Sequence, residues 1–231
     1  MKNLWRTREA ATAALSTTMK DEAAIVENTF GVIDEIIELF DSRMANDSYA
    51  RACGFTLAKA RNLALGCYDL VLNGLGQEAG ALMRPLIEAH ELLVYFRLEP
   101  SRVEDALQGH LPPAGEIAKL IKGQFHGFRK HLSEHASHFG FTTYSLRHLL
   151  DGKELKIRTA QPMLPIVLRR NLRDLWLHMI LLLSEAFRCL GVDPEYRGNL
   201  ESMGHKIEGI RERALRVFDL DNAEGSGQTN D

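Results

Sequence analysis

The chain has few of the residues that hold small domains together through covalent bonds or metals. It contains three cysteines, which lie far apart and form no C-x-x-C pair: Cys53, Cys67 and Cys189. Such a set predicts neither a disulfide framework nor a zinc knuckle, and it fits a reducing compartment, so we expect a cytoplasmic protein. No G-x-S-x-G nucleophile motif is present, and the Gly74/Gly76 pair lacks the third glycine and preceding strand of a phosphate-binding loop.

Long apolar runs and a large net charge are missing as well. The most hydrophobic stretch, residues 175–183, contains His178 and directly follows a cluster of arginines, so no membrane span and no membrane partner are expected. The first fourteen residues carry four charges and no apolar run, which predicts no signal peptide. With 45% hydrophobic residues and a net charge of −3, the composition is that of an ordinary globular protein.

The charges that are present are unevenly distributed. Residues 21–47 contain eight acids and a single base, Arg43. Eight arginines, lysines and histidines fall between residues 147 and 173: Arg147, His148, Lys153, Lys156, Arg158, Arg169, Arg170 and Arg173. We interpret these as two oppositely charged solvated surfaces. The alternatives are a basic surface for phosphate or RNA and a head-to-tail contact between subunits.

Apolar residues recur at helical spacing along nearly the whole chain. The pattern predicts an all-α, single-domain bundle of six or seven helices over residues 1–220, followed by a disordered tail at 221–231. Gly74 is expected to end a helix in the left-handed conformation. The turn pair Asp151-Gly152, between apolar residues, predicts one short β-hairpin. A single long helix is predicted over residues 114–139.

One predicted helix, over residues 77–98, carries a narrow polar stripe on an otherwise apolar surface. Arg84, Glu88, Glu91 and Tyr95 follow at i, i+4, i+7 and i+11. A helix that is apolar on most sides is usually buried, and buried charges must be paired. We therefore expect Arg84 to pair with Glu88, and Glu88 or Glu91 to reach the histidines of the next long helix.

Histidines concentrate on that next helix. His131, His135 and His138 fall on one side of it, and His135 lies closest to the apolar midline, so it is expected to face inward near Arg84 and Glu88. His131 and His135 have the spacing that lets two imidazoles share a metal, but His138 lies about 10 Å further along the axis. No Glu-x-x-His is present, which excludes a di-iron bundle. The sequence predicts no metal and no cofactor.

These residues admit two interpretations. The first is structural: an interior ion-pair network that fixes the register of the helices, or simply a solvent-facing stripe. The second is a binding or catalytic pocket between the two helices. The ligand-binding candidates are Arg84, Glu88, Glu91, Tyr95, His131, His135 and His138.

Two segments, residues 80–88 and 128–135, carry a resemblance to a known family. An Arg-x-x-x-Glu helix precedes a helix with Leu132 and Ser133, and together they resemble a broad family of uncharacterised bacterial all-helical proteins. The resemblance covers about residues 60–190. It implies a helical bundle and brings no established activity with it.

More remotely, the chain resembles the HEPN superfamily, whose motif is an arginine, four to six residues, and a histidine. Arg84 and His90, Arg129 and His135, and Arg173 and His178 match it. The resemblance implies a homodimeric bundle and, in many members, metal-free ribonuclease activity of a defence or toxin type. The histidine would then be the general acid/base and the arginine would hold the phosphate. The catalytic candidates are Arg129, His135, Arg173 and His178.

The leading hypothesis from the sequence is a non-enzymatic binding or interaction module with an interior Arg/Glu/His cluster. A HEPN-like ribonuclease or RNA-binding protein is the alternative, and a His/Glu metal-binding bundle is a second one. The partners expected are a second copy of the chain and either RNA or a small molecule.

Overall fold

The computed structural model describes residues 5–137, 146, 149–151 and 156–218, apart from the side chains of His135 and Ser137. The described residues form nine α-helices, one π-helical turn (Ser133–Ser137), one 3-10 turn (Pro194–Tyr196) and two short strands. The helices are α1 (Arg6–Thr17), α2 (Lys20–Asp41), α3 (Ser48–Leu72), α4 (Gly76–Leu98), α5 (Arg102–Leu107), α6 (Ala114–Leu120), α7 (His126–Leu132), α8 (Pro165–Leu190) and α9 (Arg197–Val217).

The predicted all-α fold class is confirmed, and so is the short hairpin. Strand β1 (Leu150–Asp151) pairs antiparallel with β2 (Lys156–Ile157), with Leu150 opposite Ile157. Gly74 ends α3 at φ 74°, the left-handed conformation expected of it. The tail at 221–231 lies outside the described residues, and a single domain for 1–220 stays a prediction.

The described residues form more helices than the six or seven expected, and one reason is that the long helix predicted over residues 114–139 is divided. Helix α6 ends at Leu120, Lys122 adopts φ 54°, and α7 begins only at His126. The connecting residue Gly123 lies against Glu91 of α4, where an added Cβ would stand 2.7 Å from Oε1 of that carboxylate. The chain therefore turns where it has to pass a buried carboxylate, and apolar spacing carries no signal of such a contact.

Four helices, α2, α3, α4 and α8, pack against one another around a continuous apolar core. Among the largest fully buried side chains of this core, α8 contributes Leu172, Leu175 and Trp176. Helix α9 packs on α2 and α8, and α1 packs on α2, α3 and α8. Helices α6 and α7 form an outer layer on α4. This layer is what encloses the candidate site.

The acidic surface of α2 is largely neutralised within the chain. Glu22 accepts from Arg169 of α8 at 2.6 Å, and Asp34 accepts from Arg61 of α3 at 2.9 Å. Glu35 accepts from Lys206 of α9 at 2.8 Å. The acidic and basic segments are therefore not simply two separate solvated surfaces, because Glu22 of the acidic segment is buried and pairs with Arg169 of the basic one. Within the described ranges, no single helix is long and apolar enough to cross a membrane. Only α8 and the segment Pro194–Val217 taken together satisfy length and composition, and they are bent by 109°.

Candidate functional site

Arg84 and Glu88 form the ion pair that the sequence predicts. Arg84 Nε donates to Glu88 Oε1 at 3.1 Å, one helical turn along α4. Arg84 Nη1 also donates to Ser133 Oγ at 2.9 Å, at the start of the π-helical turn. Arg84 is partly exposed, so this pair ties the outer layer to α4 at the surface of the bundle.

Glu91 makes a different contact from the one expected. It is 1% exposed, and its carboxylate accepts from Arg129 Nη1 of α7 at 2.9 Å. Burial raises the pKa of Glu91, and the charge of Arg129 opposes that rise. The sequence predicted that Glu88 or Glu91 would reach the histidines, and among the described side chains Glu91 pairs with an arginine of α7 instead.

Tyr95, the last residue of the polar stripe, belongs to a third environment. Its ring is buried, and the guanidinium of Arg102 lies over it at 4.1 Å from the ring centroid. Arg102 Nη1 also donates to the Tyr95 carbonyl at 3.1 Å. The stripe on α4 therefore separates into three local contacts and does not form one site.

A cavity of about 390 Å³ lies between α4, α7 and α8. Its apolar walls come from all three helices and from the end of α3. The described residues that line it are Val71, Gly76, Gln77, Gly80, Met83, Phe128, His131, Leu132, Ala136, Asn171, Asp174, Leu177 and His178. Of the predicted ligand-binding residues with described side chains, His131 lines this cavity. The side chain of His135 and the whole of His138 lie outside the described residues.

Three polar residues of α8 line one side of the cavity. Asn171, Asp174 and His178 follow at i, i+3 and i+7, so they share one face of the helix. His178 Nδ1 lies 2.6 Å from the Asp174 carbonyl oxygen. Because that oxygen can only accept, Nδ1 carries the proton and Nε2 is left as an acceptor. Burial lowers the pKa of His178, which keeps the ring neutral at neutral pH.

Phe128 of α7 closes the cavity over His178. The two rings stack with centroids 5.3 Å apart and an interplanar angle of 26°. The ring of Phe128 is 40% exposed, so it forms a rim between the cavity and solvent. This contact connects the outer layer with α8 directly.

The four catalytic candidates are not assembled into one centre. Arg129 is bound to Glu91, and Arg173 donates from Nε and Nη2 to Asp174 Oδ1 at 3.2 and 3.1 Å. His178 lines the cavity, whereas the side chain of His135 lies outside the described residues. The Arg173/His178 pair is thus close to the cavity, with its arginine already engaged by a carboxylate.

Two glycines of α4 let the walls approach closely. A Cβ at Gly76 would lie 2.7 Å from Asn171 Nδ2, and one at Gly80 would lie 3.1 Å from the Ala136 side chain. Neither glycine was singled out by the sequence as part of a site, and Asn171 was not either. The spacing of polar residues on the apolar helix α8 is the signal that would have found Asn171 and Asp174.

Among the residues with described positions, no group of three His, Cys, Asp or Glu side chains is placed to hold a metal ion. No family model matches the chain, and neither a curated protein nor a solved structure matches it significantly.

Proposed function

We propose that this chain is a binding module that holds a small molecule in the cavity between α4, α7 and α8. The observation that carries the proposal is the neutral, stacked His178, with its Nε2 acceptor, in the wall of that cavity. Mostly apolar pockets with a few convergent polar groups are the usual form of small-molecule sites.

The size and position of the cavity support this proposal. Its volume of about 390 Å³ falls within the ordinary range of ligand pockets, about 300–1,000 Å³. A second cavity of about 430 Å³ lies between α2 and α9, where Lys206 already pairs with Glu35. Titratable groups whose pKa is shifted by their surroundings concentrate at functional sites, and His178 is such a group in the wall of the cavity between α4, α7 and α8.

Indole is a suitable probe, because it combines an apolar ring with one N–H donor. We expect saturation-transfer NMR to detect indole binding to the full-length chain. Met83 is buried in the cavity wall, so Met83→Trp should fill the space and abolish the signal. Gly31→Ala is the matched control, since a Cβ at Gly31 meets nothing within 4 Å. Absence of indole binding by the native chain, or undiminished binding by a folded Met83→Trp variant, would contradict the proposal.

A HEPN-like ribonuclease or RNA-binding protein is the second candidate. It is supported by Arg173 and His178 on one helix beside a cavity, with His178 Nε2 free to accept a proton in general base catalysis. It is weakened by the ion pairs of the basic segment: Arg158 with Asp151, Arg169 with Glu22, and Arg173 with Asp174. RNA binding depends mainly on lysines and arginines that are free to contact phosphate groups.

Incubation with total RNA, with and without EDTA, separates the two candidates. A ribonuclease of this kind should cleave RNA in EDTA and lose that activity in folded His178→Ala and Arg173→Ala variants. No cleavage and no retention of RNA at low salt would remove this candidate. The binding-module proposal expects that negative result.

We also propose that the module works in the cytoplasm as a homodimer. The three cysteines are free and buried, which suits a reducing compartment. Leu181 is 40% exposed and lies one turn beyond His178 and Leu177 on α8, and Phe128, which stacks on His178, is also 40% exposed. This apolar strip is the surface on which a second copy would pack. Sedimentation equilibrium of the native chain beside Leu181→Glu tests it, with a monomeric native chain as the contrary outcome.

A further inference from the structure

The polar side of the cavity offers hydrogen-bond acceptors, and this pattern bears on the chemical class of the ligand. This inference rests on the proposed function, because it concerns the same cavity. His178 and Asn171 each donate to another protein group, Asp174 accepts from Arg173, and all three keep a further acceptor atom.

His178 supplies the first acceptor. Its Nδ1–H is taken by the Asp174 carbonyl at 2.6 Å, so the lone pair of Nε2 is the hydrogen-bonding group that remains. The stacked ring of Phe128 holds the imidazole in position. A ligand that meets this nitrogen has to donate a proton to it.

Asp174 supplies the second acceptor and the charge. Two nitrogens of Arg173, Nε and Nη2, donate to Oδ1, and no described residue donates to Oδ2. The carboxylate is about half exposed, which leaves it accessible to a ligand. An ammonium group suits this carboxylate, since a hydrogen bond between two charged partners is stronger than one between neutral groups.

Asn171 supplies the third. Its Nδ2 donates to Gln161 Oε1 at 3.2 Å, which orients the amide and leaves Oδ1 to accept. Gly76 makes this placement possible, because a Cβ there would lie 2.7 Å from Nδ2. Three acceptors therefore follow one another along a single face of α8.

The remaining walls select for an apolar body without negative charge. Met83 of α4 and Leu132 of α7 are each 7% exposed, and Phe128 lies one turn before Leu132 on α7, at the rim. No lysine or arginine is among the described residues that line the cavity. An anionic ligand would thus meet the carboxylate of Asp174 and a neutral imidazole, and the arginine beside them, Arg173, is already paired with that carboxylate.

We infer that the cavity binds an amphiphilic amine, in which a ring-sized apolar body fills the space against Phe128 and Met83 while a protonated amino group donates to Asp174 and His178.

Three indole derivatives that differ in one terminal group test this inference. Tryptamine carries an ammonium, tryptophol a hydroxyl and indole-3-acetate a carboxylate on the same ring. We expect tryptamine to bind about fivefold more tightly than tryptophol at neutral pH and low salt, as befits one half-exposed ion pair. Indole-3-acetate should bind more weakly than either. Competition against indole, followed by saturation-transfer NMR, measures all three.

A pair of charge-neutralising variants assigns the preference to Asp174. Asp174→Asn should bring the affinity for tryptamine down to that for tryptophol and leave indole binding intact. Asp69→Asn is the matched control, because Asp69 is also about half exposed and paired with an arginine, Arg8, and it does not line the cavity. It should preserve the preference for tryptamine.

The outcomes separate the two levels of the argument. If indole binds but tryptamine binds no more tightly than tryptophol, the amine inference is overturned and the pocket stands. If indole-3-acetate binds most tightly, the inference is likewise overturned. If none of the four compounds binds, the proposed function fails, and the inference that depends on it fails too.

Discussion

The buried pair between Glu91 and Arg129 gives the most decisive prediction. The Glu91 side chain is 2% exposed and that of Arg129 is 12% exposed, and one oxygen of the carboxylate, Oε1, has no hydrogen-bond partner among the described residues. Replacing Arg129 with methionine would leave a buried carboxylate without its counter-charge. Removing one member of a buried pair costs about 3–5 kcal/mol.

Urea unfolding of the native chain and the Arg129→Met variant measures this loss. The double variant Glu91→Leu/Arg129→Met should recover most of it, because well-packed apolar residues replace buried ion pairs at little or no net loss. Lys206→Met is the surface control: its pair with Glu35 is about half exposed on both sides, and pairs of that kind contribute about 0–1 kcal/mol.

Two results would refute the reasoning. If Arg129→Met loses no more stability than Lys206→Met, Glu91 is solvated and the outer layer of α6 and α7 does not seal it. If the double variant is as unstable as Arg129→Met, the loss comes from the packing of the Arg129 side chain and not from an uncompensated charge.

Three further predictions concern other parts of the chain. The cysteines are fully buried, and burial raises the pKa of Cys67 to about 12, so Ellman's reagent should modify none of them in the native protein and all of them in denaturant: Cys53, Cys67 and Cys189. Because burial lowers the pKa of His178, the unfolded chain takes up a proton at higher pH than the folded chain does. The free energy of unfolding should therefore fall as pH drops below about 6.5, and urea titrations should show a weaker pH dependence of this free energy for His178→Gln. Gly76→Ala should displace the Asn171 amide and weaken indole binding in NMR with little loss of stability, whereas Gly31→Ala should leave binding unchanged and stabilise α2 by about 0.5–1 kcal/mol in thermal unfolding.

The fold class followed from the sequence because helical periodicity is a local property. Apolar residues at i, i+3 and i+4 indicate which face of a helix is buried, and Gly74 marks an end through its own backbone preference. The pairing of strand Leu150–Asp151 with strand Lys156–Ile157 was predictable for the same reason, since the turn pair Asp151-Gly152 is a signal carried by two adjacent residues of the sequence. The division between α6 and α7 was not, because it depends on the contact of Gly123 with Glu91, a residue about thirty positions away.

The candidate site was only partly predictable. The pairing of Arg84 with Glu88 is a one-turn contact within a single helix, and spacing alone identified it. Glu88 or Glu91 was expected to reach the histidines, and Glu91 binds Arg129, because the choice of partner depends on how α7 packs against α4. His178 matched a motif together with Arg173, but nothing in that motif placed it beside Phe128 and Asn171.

By itself, the sequence determined the all-helical fold class and the need for the charges on α4 to be paired. These follow from periodicity and from the free-energy cost of burying a charge, and both can be read along one segment. Only the tertiary structure decided which partner each charge receives and where a cavity remains. Those outcomes depend on the packing of α7 against α4 and α8, which no single segment encodes. The same packing also decides where His178 lies: this residue of α8 lines the cavity that α7 closes.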